Sequence, residues 1–253
     1  MSGTIRSDDG HGRLGNALSG LAVAVGCVLF LGGFIWGALV YQPYTVPTDS
    51  MTPTVHAGDR VLAERIDGDQ VRRGDIVVFR DKQWGDMPMV KRVVGVGGDT
   101  VACCGDGGKL TINGKAIEEP YLRTKGAASN TFTATVPKGQ LFMLGDERMG
   151  SQDSRVHLQD PGQGSVPRSA VEGRLDAVAW PLTGGLLERP AGFAALQGGV
   201  SSPGPVKLLV VSVVVGAALI VGGASYGPVA RKLTARRRGA AGGGRTKATA
   251  GVG

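Results

Sequence analysis

Two long runs without a charged side chain constrain the fold of this 253-residue chain more than any other feature. The first, at residues 18–41, has 24 residues, and the second, at residues 208–230, has 23. At about 1.5 Å of rise per residue, either helix would exceed the roughly 30 Å hydrocarbon core of a bilayer. The alternatives are a cleaved signal peptide for the first run and a buried core helix for the second, but both runs are longer than those alternatives usually are. The sequence therefore predicts two transmembrane helices.

Basic residues are concentrated after the second run. Residues 231–253 carry seven Lys or Arg and no acidic residue, whereas residues 42–205 carry 18 basic and 19 acidic residues and residues 1–17 balance at zero. Because basic residues near membrane spans are retained in the cytoplasm, both termini are expected there and residues 42–205 outside. The basic tail is expected to be disordered and to contact anionic lipid, so that nucleic acid is not expected as a partner.

The segment between the two runs has the pattern of a β domain. Short apolar stretches rich in β-branched residues alternate with Gly and Asp, as in "GDIVVFR", "MVKRVVGV" and "LFMLGD". Strands of this length and spacing favour a mainly β fold, an antiparallel all-β extracytoplasmic domain flanked by the two transmembrane helices. Within it, Asn113-Gly114 in "LTINGKAI" predicts a hairpin with a type I′ turn.

The cysteines do not suggest a metal site. Cys27 lies inside the first apolar run, and Cys103 and Cys104 are adjacent, a spacing unlike that of zinc ligands. Outside the cytoplasm the adjacent pair can form a vicinal disulfide or remain as free or cross-bonded thiols, and the sequence leaves these alternatives open. No metal or nucleotide motif occurs, so no cofactor is expected, and nothing in the sequence demands more than a monomer.

Three short segments carry more polar residues than packing requires. In "PTDSMTPT" two prolines flank Ser50, and a serine hydroxyl becomes a nucleophile when a base removes its proton. In "MVKRVVGVGGD", Lys91 and Arg92 interrupt an apolar strand, so one of them is expected to face the core, where burial would make a lysine a general base. The third segment is "GDERMGSQDSR", at residues 145–155. Taken singly, these could be a turn, an ion-paired strand lysine and a solvated loop.

In order and content the segments resemble the motifs of bacterial type I signal peptidase (leader peptidase), a serine-lysine dyad protease of the S26 type. That family has a membrane anchor followed by motifs of the form P-S-G-S-M-x-P-T, G-D, K-R-V-x-G-x-x-G-D and G-D-N-R-x-x-S-x-D-S-R. The matching stretches here are "PTDSMTPT", "GDRV" with "GDIVVF", "KRVVGVGGD" and "GDERMGSQDSR", and the resemblance covers about residues 20–182. The second apolar run resembles Gram-positive members that are anchored at both ends.

The resemblance implies a serine endopeptidase of the bacterial cell membrane, with two spans and its catalytic domain on the outer face. Its partners would be the lipid bilayer and secreted preproteins. From these it would remove N-terminal signal peptides by cleaving after small residues, at sites of the Ala-x-Ala type.

The same resemblance implies a role for each motif residue. Ser50 would attack the scissile carbonyl and Lys91 would take its proton. Thr48 would donate its hydroxyl to the oxyanion beside the Ser50 N–H, and Ser151 would orient Lys91. The residues implied to form scaffold ion pairs are Arg92, Asp146, Asp153 and Arg155. Those implied to line shallow apolar pockets for the substrate are Tyr44, Val46, Pro47, Met51, Val55, Met89 and Val90.

The sequence departs from the family pattern beside these residues. Thr48 stands where serine is common, and its methyl group constrains its rotamer. Asp49 replaces the usual glycine and would raise the pKa of Lys91 on contact, so it is expected to point away, as neighbours on an extended strand do. Glu147 replaces the usual asparagine.

Three other interpretations are open. A serine hydrolase with a histidine base would use His56 or His157; if Lys91 is the base, replacing either histidine by alanine should leave most of the activity. A self-cleaving serine-lysine repressor would lie in the cytosol, which two spans argue against. A doubly anchored domain that only binds exported chains would have no reason to retain Ser50, Lys91 and Ser151 together.

Overall fold

Two helices and a β-rich unit make up the computed structural model of the chain. The residues that the structure describes are 9–123, 130–182 and 184–242. One compact unit lies within residues 1–37 and 207–253 and holds most of the two helices, and the other is residues 38–206.

Helices α1 (Asp9–Val40) and α2 (Val206–Gly242) contain the two apolar runs. The stretches Gly15–Val40 and Val206–Tyr226 are long and apolar enough to cross a membrane, by length and composition. Only 11% and 17% of their most apolar windows are buried, so these helices are not covered as the core helix of a soluble protein would be. Both are therefore candidates for membrane spans.

The helices differ at their ends from the predicted bounds. The first ends at Val40, so that Tyr41 begins a strand rather than ending the span. The second continues past Ala230 to Gly242, and the expectation of a disordered tail is wrong for residues 231–242. Arg, Lys, Leu and Ala, which dominate this stretch, are good helix formers and prolong the helix. Residues 1–8 and 243–253, also part of the predicted terminal segments, lie outside the described residues.

Small residues bring the two helices close together. A Cβ placed on Gly26 would lie 2.8 Å from the carbonyl oxygen of Gly216, and Ser19 Oγ donates a 2.7 Å hydrogen bond to the carbonyl oxygen of Gly223. Close backbone approach through small residues, with a hydroxyl bonded across the contact, is typical of helix pairs packed in a membrane.

The β-rich unit is made of antiparallel strands. In chain order they are β1 (Tyr41–Thr45), β2 (Arg60–Glu64), β3 (Ile76–Phe79), β4 (Met89–Val96), β5 (Thr100–Cys103), β6 (Thr111–Ile112), β7 (Lys115–Ala116), β8 (Phe132–Thr135), β9 (Gln140–Leu144), β10 (Val166–Pro167), β11 (Val171–Trp180) and β12 (Gly185–Leu186). The larger sheet has the order β1-β2-β11-β3-β4-β9-β10, with β12 paired to β11, and the smaller has the order β7-β6-β5-β8. The predicted antiparallel all-β domain is confirmed.

Strand β4 is covered on both faces. Val90 packs in one core cluster with Val46 and Ile76, and Val93 packs in another with Phe79. Because neither face meets solvent, the two cations that follow Val90 in β4 are both buried, whereas the sequence pattern placed only one of them against the core.

Two local predictions concern the smaller sheet. The hairpin between β6 and β7 turns at Asn113 and Gly114, whose φ angles of 52° and 77° are those that a type I′ turn requires, so that prediction is confirmed. Cys103 and Cys104 form a disulfide between adjacent residues, one of the two states that the sequence left open.

One buried carboxylate in β11 holds both ends of the β-rich unit. Asp176 Oδ2 accepts a 2.9 Å hydrogen bond from the Tyr41 hydroxyl and a 3.1 Å bond from the Gly204 N–H, while Oδ1 pairs with Arg189. Tyr41 directly follows α1 and Gly204 lies two residues before α2. The chain therefore enters and leaves the β-rich unit beside the same side chain.

Replacing Asp176 by Asn should destabilise the protein. An amide whose oxygen keeps the bonds from Tyr41 and Gly204 turns its NH2 group, a second donor, toward the Arg189 guanidinium. Arg189 keeps Asp75 at 3.4 Å but loses the charge of Asp176. We expect a loss of about 3 kcal/mol, which lowers the melting temperature in detergent by roughly 6–12 °C. The exposed Asp69→Asn serves as the control and should melt with the wild type; equal melting of both variants would contradict the role assigned to Asp176.

Candidate active site

Ser50 lies in a single helical turn that follows an extended residue. Thr48 has φ −141° and ψ 162°, and the 3-10 turn Asp49–Met51 closes with a 3.0 Å bond from the Thr52 N–H to the Asp49 carbonyl oxygen. Met51 is completely buried in the core, which fixes the turn. The Ser50 hydroxyl is held at the wall of a cavity as a result.

Strand β4 places Lys91 against this hydroxyl. The Lys91 Nζ donates a 2.8 Å hydrogen bond to Ser50 Oγ and a 3.2 Å bond to the carbonyl oxygen of Val90. Thr48 Oγ1 donates a second hydrogen bond to Ser50 Oγ, at 3.2 Å. The structure thus brings together Ser50, Lys91 and Thr48, which the family resemblance predicted as nucleophile, base and oxyanion donor.

The environment of Lys91 favours the neutral amine. Lys91 is 3% exposed, and burial lowers its pKa from 10.5 to about 8. Attraction to the more distant Asp153 and Asp146 raises the pKa and offsets part of this effect, but neither carboxylate forms an ion pair with Lys91 in the described part of the chain. At a pKa of about 8, roughly one Lys91 in ten is neutral at pH 7.

The neighbouring Arg92 is buried with a carboxylate. Its Nε and Nη2 donate to the two oxygens of Asp146 at 2.8 and 2.7 Å, and its guanidinium lies 3.9 Å from the ring centroid of Tyr121. Burial alone would lower the pKa of Arg92, but Asp146 raises it, so the residue stays charged. Thr54 Oγ1 donates to Asp146 at 2.5 Å, which links the Ser50 segment to the loop that carries Asp146.

Asp153 and Arg155, the second predicted ion pair, stabilise the loop at residues 145–155 by contacts within the loop. Asp153 accepts bonds of 2.8 and 2.7 Å from Arg155, and its Oδ2 also accepts the Gly145 N–H at 3.0 Å. The Glu147 N–H donates to the Ser50 carbonyl oxygen at 3.0 Å. Since this last bond uses backbone at position 147, glutamate in place of the usual asparagine leaves it intact.

Ser151 does not form the hydrogen bond to Lys91 that the resemblance predicted. Its Oγ is buried and has no hydrogen-bond partner among the described residues, so the predicted bond to Lys91 is not formed. The two hydrogen bonds of Lys91 Nζ go instead to Ser50 and Val90. The Ser151 hydroxyl packs against Gly145, where an added Cβ would overlap it.

Asp49 points away from Lys91 for a reason other than the one expected. Its carboxylate accepts a 2.9 Å bond from the Ala57 N–H, and it forms no ion pair with Lys91 in the described ranges. The residue lies in the 3-10 turn rather than in an extended strand, so the bond to Ala57, not strand alternation, directs the carboxylate away.

The cavity beside Ser50 and Lys91 has a volume of about 250 Å³ and contains four of the seven predicted substrate residues, Val46, Pro47, Met89 and Val90. Its other lining residues are Thr48, Trp84, Met87, Pro88, Gln152 and His157. Most of these side chains are apolar or uncharged, so the wall of the cavity is largely neutral.

The other three predicted pocket residues lie elsewhere. Met51 and Val55 are completely buried in the core, because the 3-10 turn directs them inward under Ser50. Tyr44 packs partly against the same core cluster and donates from its hydroxyl to Glu172 at 3.1 Å. The expectation that these residues line the cavity is not met.

Several residues at the site were missed from the sequence. Thr54 could have been predicted, because it lies in the same short segment as Ser50. A hydroxyl only four residues away can bond to groups beside Ser50, and that of Thr54 bonds to Asp146. Tyr121 and Trp84 carry no local signal, since each reaches the site by a contact distant in sequence.

His157 lies in the same cavity as Ser50, but the bonds of the two residues are separate. Its Nδ1 is 2.8 Å from Asp160 Oδ2 and its ring stacks on Trp84. The partners of Ser50 Oγ in the described part of the chain are Lys91 and Thr48. His56 is more exposed and lies 3.9 Å from Asp59. Neither histidine takes the position of a base on Ser50.

A serine hydroxyl bonded to a buried lysine of lowered pKa, beside a largely apolar cavity, is an arrangement in which a hydroxyl can be activated for hydrolysis. A family model described as signal peptidase, peptidase S26, matches residues 18–180. The chain belongs to this family of signal peptidases, hydrolases that remove signal peptides.

Known proteins similar to the chain carry the same description. A probable signal peptidase I from Mycobacterium leprae is 33% identical over 207 residues, covering 58% of this chain and 71% of the relative. A signal peptidase I from Bacillus caldolyticus is 36% identical over 157 residues, covering 56% of this chain and 81% of the relative. A crystal structure of a signal peptidase I from Enterococcus faecalis is 32% identical, with 41% of this chain and 95% of that chain covered and a TM-score of 0.34.

Replacing Gly145 by Ala should lower the turnover of the folded enzyme. The new Cβ would overlap Ser151 Oγ and lie 2.5 Å from the Ser50 carbonyl oxygen, so the Ser50 turn must shift. Displacing a nucleophile by part of an ångström costs on the order of 10- to 100-fold in rate. The measurement is kcat on a preprotein, with melting temperature recorded in parallel.

The matched control is Gly150→Ala in the same loop. A Cβ there would meet only the flexible side chain of Glu147, at 3.3 Å, so this variant should keep near wild-type activity. Equal activity of the two variants would show that close packing at Gly145 does not position Ser50.

Proposed function

We propose that the chain is a membrane-bound serine endopeptidase that removes N-terminal signal peptides from exported preproteins with a Ser50/Lys91 dyad. The observation that supports this most directly is the 2.8 Å bond from Lys91 Nζ to Ser50 Oγ, made by a buried lysine whose pKa is lowered to about 8. A packing lysine would pair with a carboxylate or reach solvent, and Lys91 does neither in the described structure.

In the proposed reaction, neutral Lys91 takes the Ser50 proton as Ser50 Oγ attacks the scissile carbonyl carbon. The tetrahedral intermediate collapses as the C–N bond breaks, and Lys91 returns the proton to the departing amine of the mature protein. Water, deprotonated by Lys91, then attacks the carbonyl carbon of the acyl ester on Ser50. As the C–Oγ bond breaks, Lys91 returns the proton to Ser50 Oγ, and the signal peptide leaves as a carboxylic acid that ionises in solvent. Each proton that Lys91 accepts is returned within the same half-reaction.

Thr48 and the Ser50 N–H are the proposed donors to the oxyanion. Thr48 Oγ1 lies 3.2 Å from Ser50 Oγ and can turn its hydroxyl from that oxygen to the one that develops negative charge. Ser151 is the proposed orienting residue for Lys91. Its buried, unpartnered hydroxyl in the described structure would gain its bond once Lys91 Nζ moves from Ser50 during the reaction.

The substrate is proposed to bind as an added strand along β4. Residues Met89, Val90 and Lys91 pair with β3 on one side, whereas pairing with β9 begins only at Arg92. Among the described strands this leaves one edge of β4 open beside the cavity, where an extended peptide can bond to backbone groups. The limited cavity volume of about 250 Å³ supports cleavage after small residues, as in Ala-x-Ala.

The proposed topology has two spans, both termini in the cytoplasm and the catalytic domain, residues 42–205, on the outer face of the cell membrane. The two exposed apolar helices and the seven basic residues of segment 231–253 support it. The partners are then the lipid bilayer and secreted preproteins, and the enzyme acts as a monomer.

The dyad predicts that activity rises with pH through an apparent pKa of about 8. Only neutral Lys91 can accept the proton, so kcat/KM should fall about tenfold per pH unit below that value and level off above it. Lys91→Ala should lower the rate by roughly 10²- to 10⁴-fold. The measurement is cleavage of a purified preprotein with an Ala-x-Ala site by the detergent-solubilised chain, from pH 6 to 10.

Ser50→Ala should likewise be inactive, and His56→Ala provides the control that keeps the wild-type profile. A profile that instead rises near pH 6–7, or cleavage by folded Lys91→Ala at the wild-type rate, would assign the base to another residue. If neither the wild type nor any variant cleaves a preprotein, the interpretation of the chain as a domain that only binds exported proteins gains support.

Fusions at the C-terminus test the topology. A green fluorescent protein placed after residue 253 should fluoresce and an alkaline phosphatase at the same position should be inactive, because the tail is proposed to be cytoplasmic. The same two reporters placed after residue 205, before the second span, should give the opposite result. Active phosphatase at the C-terminus would reject the two-pass orientation.

A further inference from the structure

A second buried ion pair joins the loop at residues 145–155 to another segment of the chain. Arg148 Nη1 and Nη2 donate to the two carboxylate oxygens of Glu119 at 3.0 and 2.6 Å, and Arg148 Nε donates to the Gly145 carbonyl oxygen at 3.0 Å. The side chains of Arg148 and Glu119 are 0% and 5% exposed. Neither lines the cavity beside Ser50, so this pair lies next to the site without a step in the proposed reaction.

Glu119 belongs to a segment that extends from the smaller sheet. The segment follows the β6–β7 hairpin and contains Ile117, which is buried in a core cluster and donates from its N–H to the Leu110 carbonyl oxygen at 2.8 Å. A Cβ placed on Gly192 would overlap the Glu118 carbonyl oxygen, so the backbone of the segment also contacts a turn distant in sequence. Two separate contacts therefore fix the position from which Glu119 reaches the loop.

Tyr121 connects this ion pair to that of Arg92 and Asp146. Its hydroxyl donates to Glu119 at 2.5 Å, and the Arg92 guanidinium lies 3.9 Å from its ring centroid. Burial, followed by the charge of Glu119, raises the pKa of Tyr121 well above 10, so the hydroxyl stays protonated and remains a donor. Two guanidinium groups, those of Arg92 and Arg148, and two carboxylates thus form one buried cluster with Tyr121.

The balance of charge in the cluster determines which arginine binds Asp146. Burial would lower the pKa of Arg148, but Glu119 raises it and Asp146 adds to that effect. Asp146 therefore attracts Arg148 as well as Arg92. Because Glu119 supplies Arg148 with a carboxylate, both oxygens of Asp146 accept from Arg92. A buried guanidinium that lost the charge of Glu119 would be strongly destabilised and would draw Asp146 toward itself.

A shift of Asp146 would be transmitted to Ser50. Asp146 accepts the Thr54 hydroxyl at 2.5 Å, and the N–H of the next residue, Glu147, donates to the Ser50 carbonyl oxygen at 3.0 Å. Both bonds end in the short segment that carries the nucleophile. Since a small displacement of a reacting group lowers the rate steeply, the position of Asp146 affects turnover without any contact with substrate.

We propose that Glu119, supported by Tyr121, is a positioning residue of the active site whose carboxylate holds Arg148 away from Asp146. The inference rests on the proposed function, because it concerns the geometry of a serine nucleophile in that reaction. It also gives the smaller sheet a role in catalysis, since the segment that extends from this sheet carries both positioning residues. Neither residue touches the substrate, and both act through the loop at residues 145–155.

The first test compares Glu119→Gln with Glu118→Gln in the detergent-solubilised full chain. Glu119→Gln keeps the size of the side chain and removes its charge, so kcat should fall about 10- to 100-fold. KM should stay within about twofold of the wild type, because the cavity lining is unchanged. Glu118 is the matched control, since its side chain is 72% exposed and pairs with Lys109 at the surface, and its replacement should change neither constant.

Cleavage of a preprotein with an Ala-x-Ala site is followed at pH 9, where most Lys91 is neutral, and below the melting temperature of each variant. Tyr121→Phe keeps the ring against Arg92 and loses only the hydroxyl bond to Glu119, so its kcat should lie between those of the wild type and Glu119→Gln. An unchanged kcat in folded Glu119→Gln, or a rise in KM alone, would overturn the proposal.

The double variant Glu119→Gln/Arg148→Met separates positioning from simple support of the fold. With neither charge present, no guanidinium competes for Asp146, so the double variant should have a higher kcat than Glu119→Gln alone. If the pair only supports the fold, the second substitution should lower kcat further, which would reject the positioning role.

The double variant also decides the question if Glu119→Gln does not fold. It lacks the unbalanced charge and should then fold and cleave, whereas a double variant that folds but is inactive would contradict the inference. Failure of the proposed function is distinguishable from all of these results, since the wild type itself would then cleave no preprotein.

Discussion

The structure depends on how two consecutive cations are buried in one strand. Lys91 and Arg92 are both almost inaccessible in β4, but Arg92 donates to both oxygens of Asp146, whereas Lys91 donates to the Ser50 hydroxyl oxygen. A buried charge without a partner costs several kcal/mol, so burial moves Lys91 toward its neutral form and Arg92 toward an ion pair. Because Arg92 occupies Asp146, that carboxylate is held away from Lys91, where contact would raise the lysine pKa.

The same ion pair joins the segments that carry the site. Asp146 is bonded by Thr54 from the Ser50 segment, and the backbone N–H of Glu147 holds the Ser50 carbonyl oxygen. Gly145, next to Asp146, leaves space for Ser151 and for Ser50 that any side chain would fill. The positions of Ser50 and Lys91 are therefore set by one connected network rather than by two independent turns.

The sequence was informative where the signal is local. Run length predicted the apolar helices, Asn113-Gly114 predicted its hairpin turn, and Ser50 with Lys91 stood out as motif residues that the structure places in contact. It failed where position depends on tertiary packing. Alternation predicted one buried cation because it cannot reveal that β4 is covered on both faces, and the inward turn of Met51 follows from a 3-10 turn in a segment interpreted as extended.

His157 lines the cavity, but its contacts are separate from those of the Ser50 hydroxyl. His157 with Asp160 has the pairing of a histidine base and its orienting carboxylate, and the sequence alone could not dismiss it. In the structure its ring face is occupied by Trp84, while Ser50 Oγ is bonded by Lys91 and Thr48. A base must reach the proton that it removes, and a stacked ring cannot turn to do so without losing its packing. His157 therefore lines the cavity wall, whereas Lys91 is the titratable side chain bonded to the Ser50 hydroxyl among the described residues.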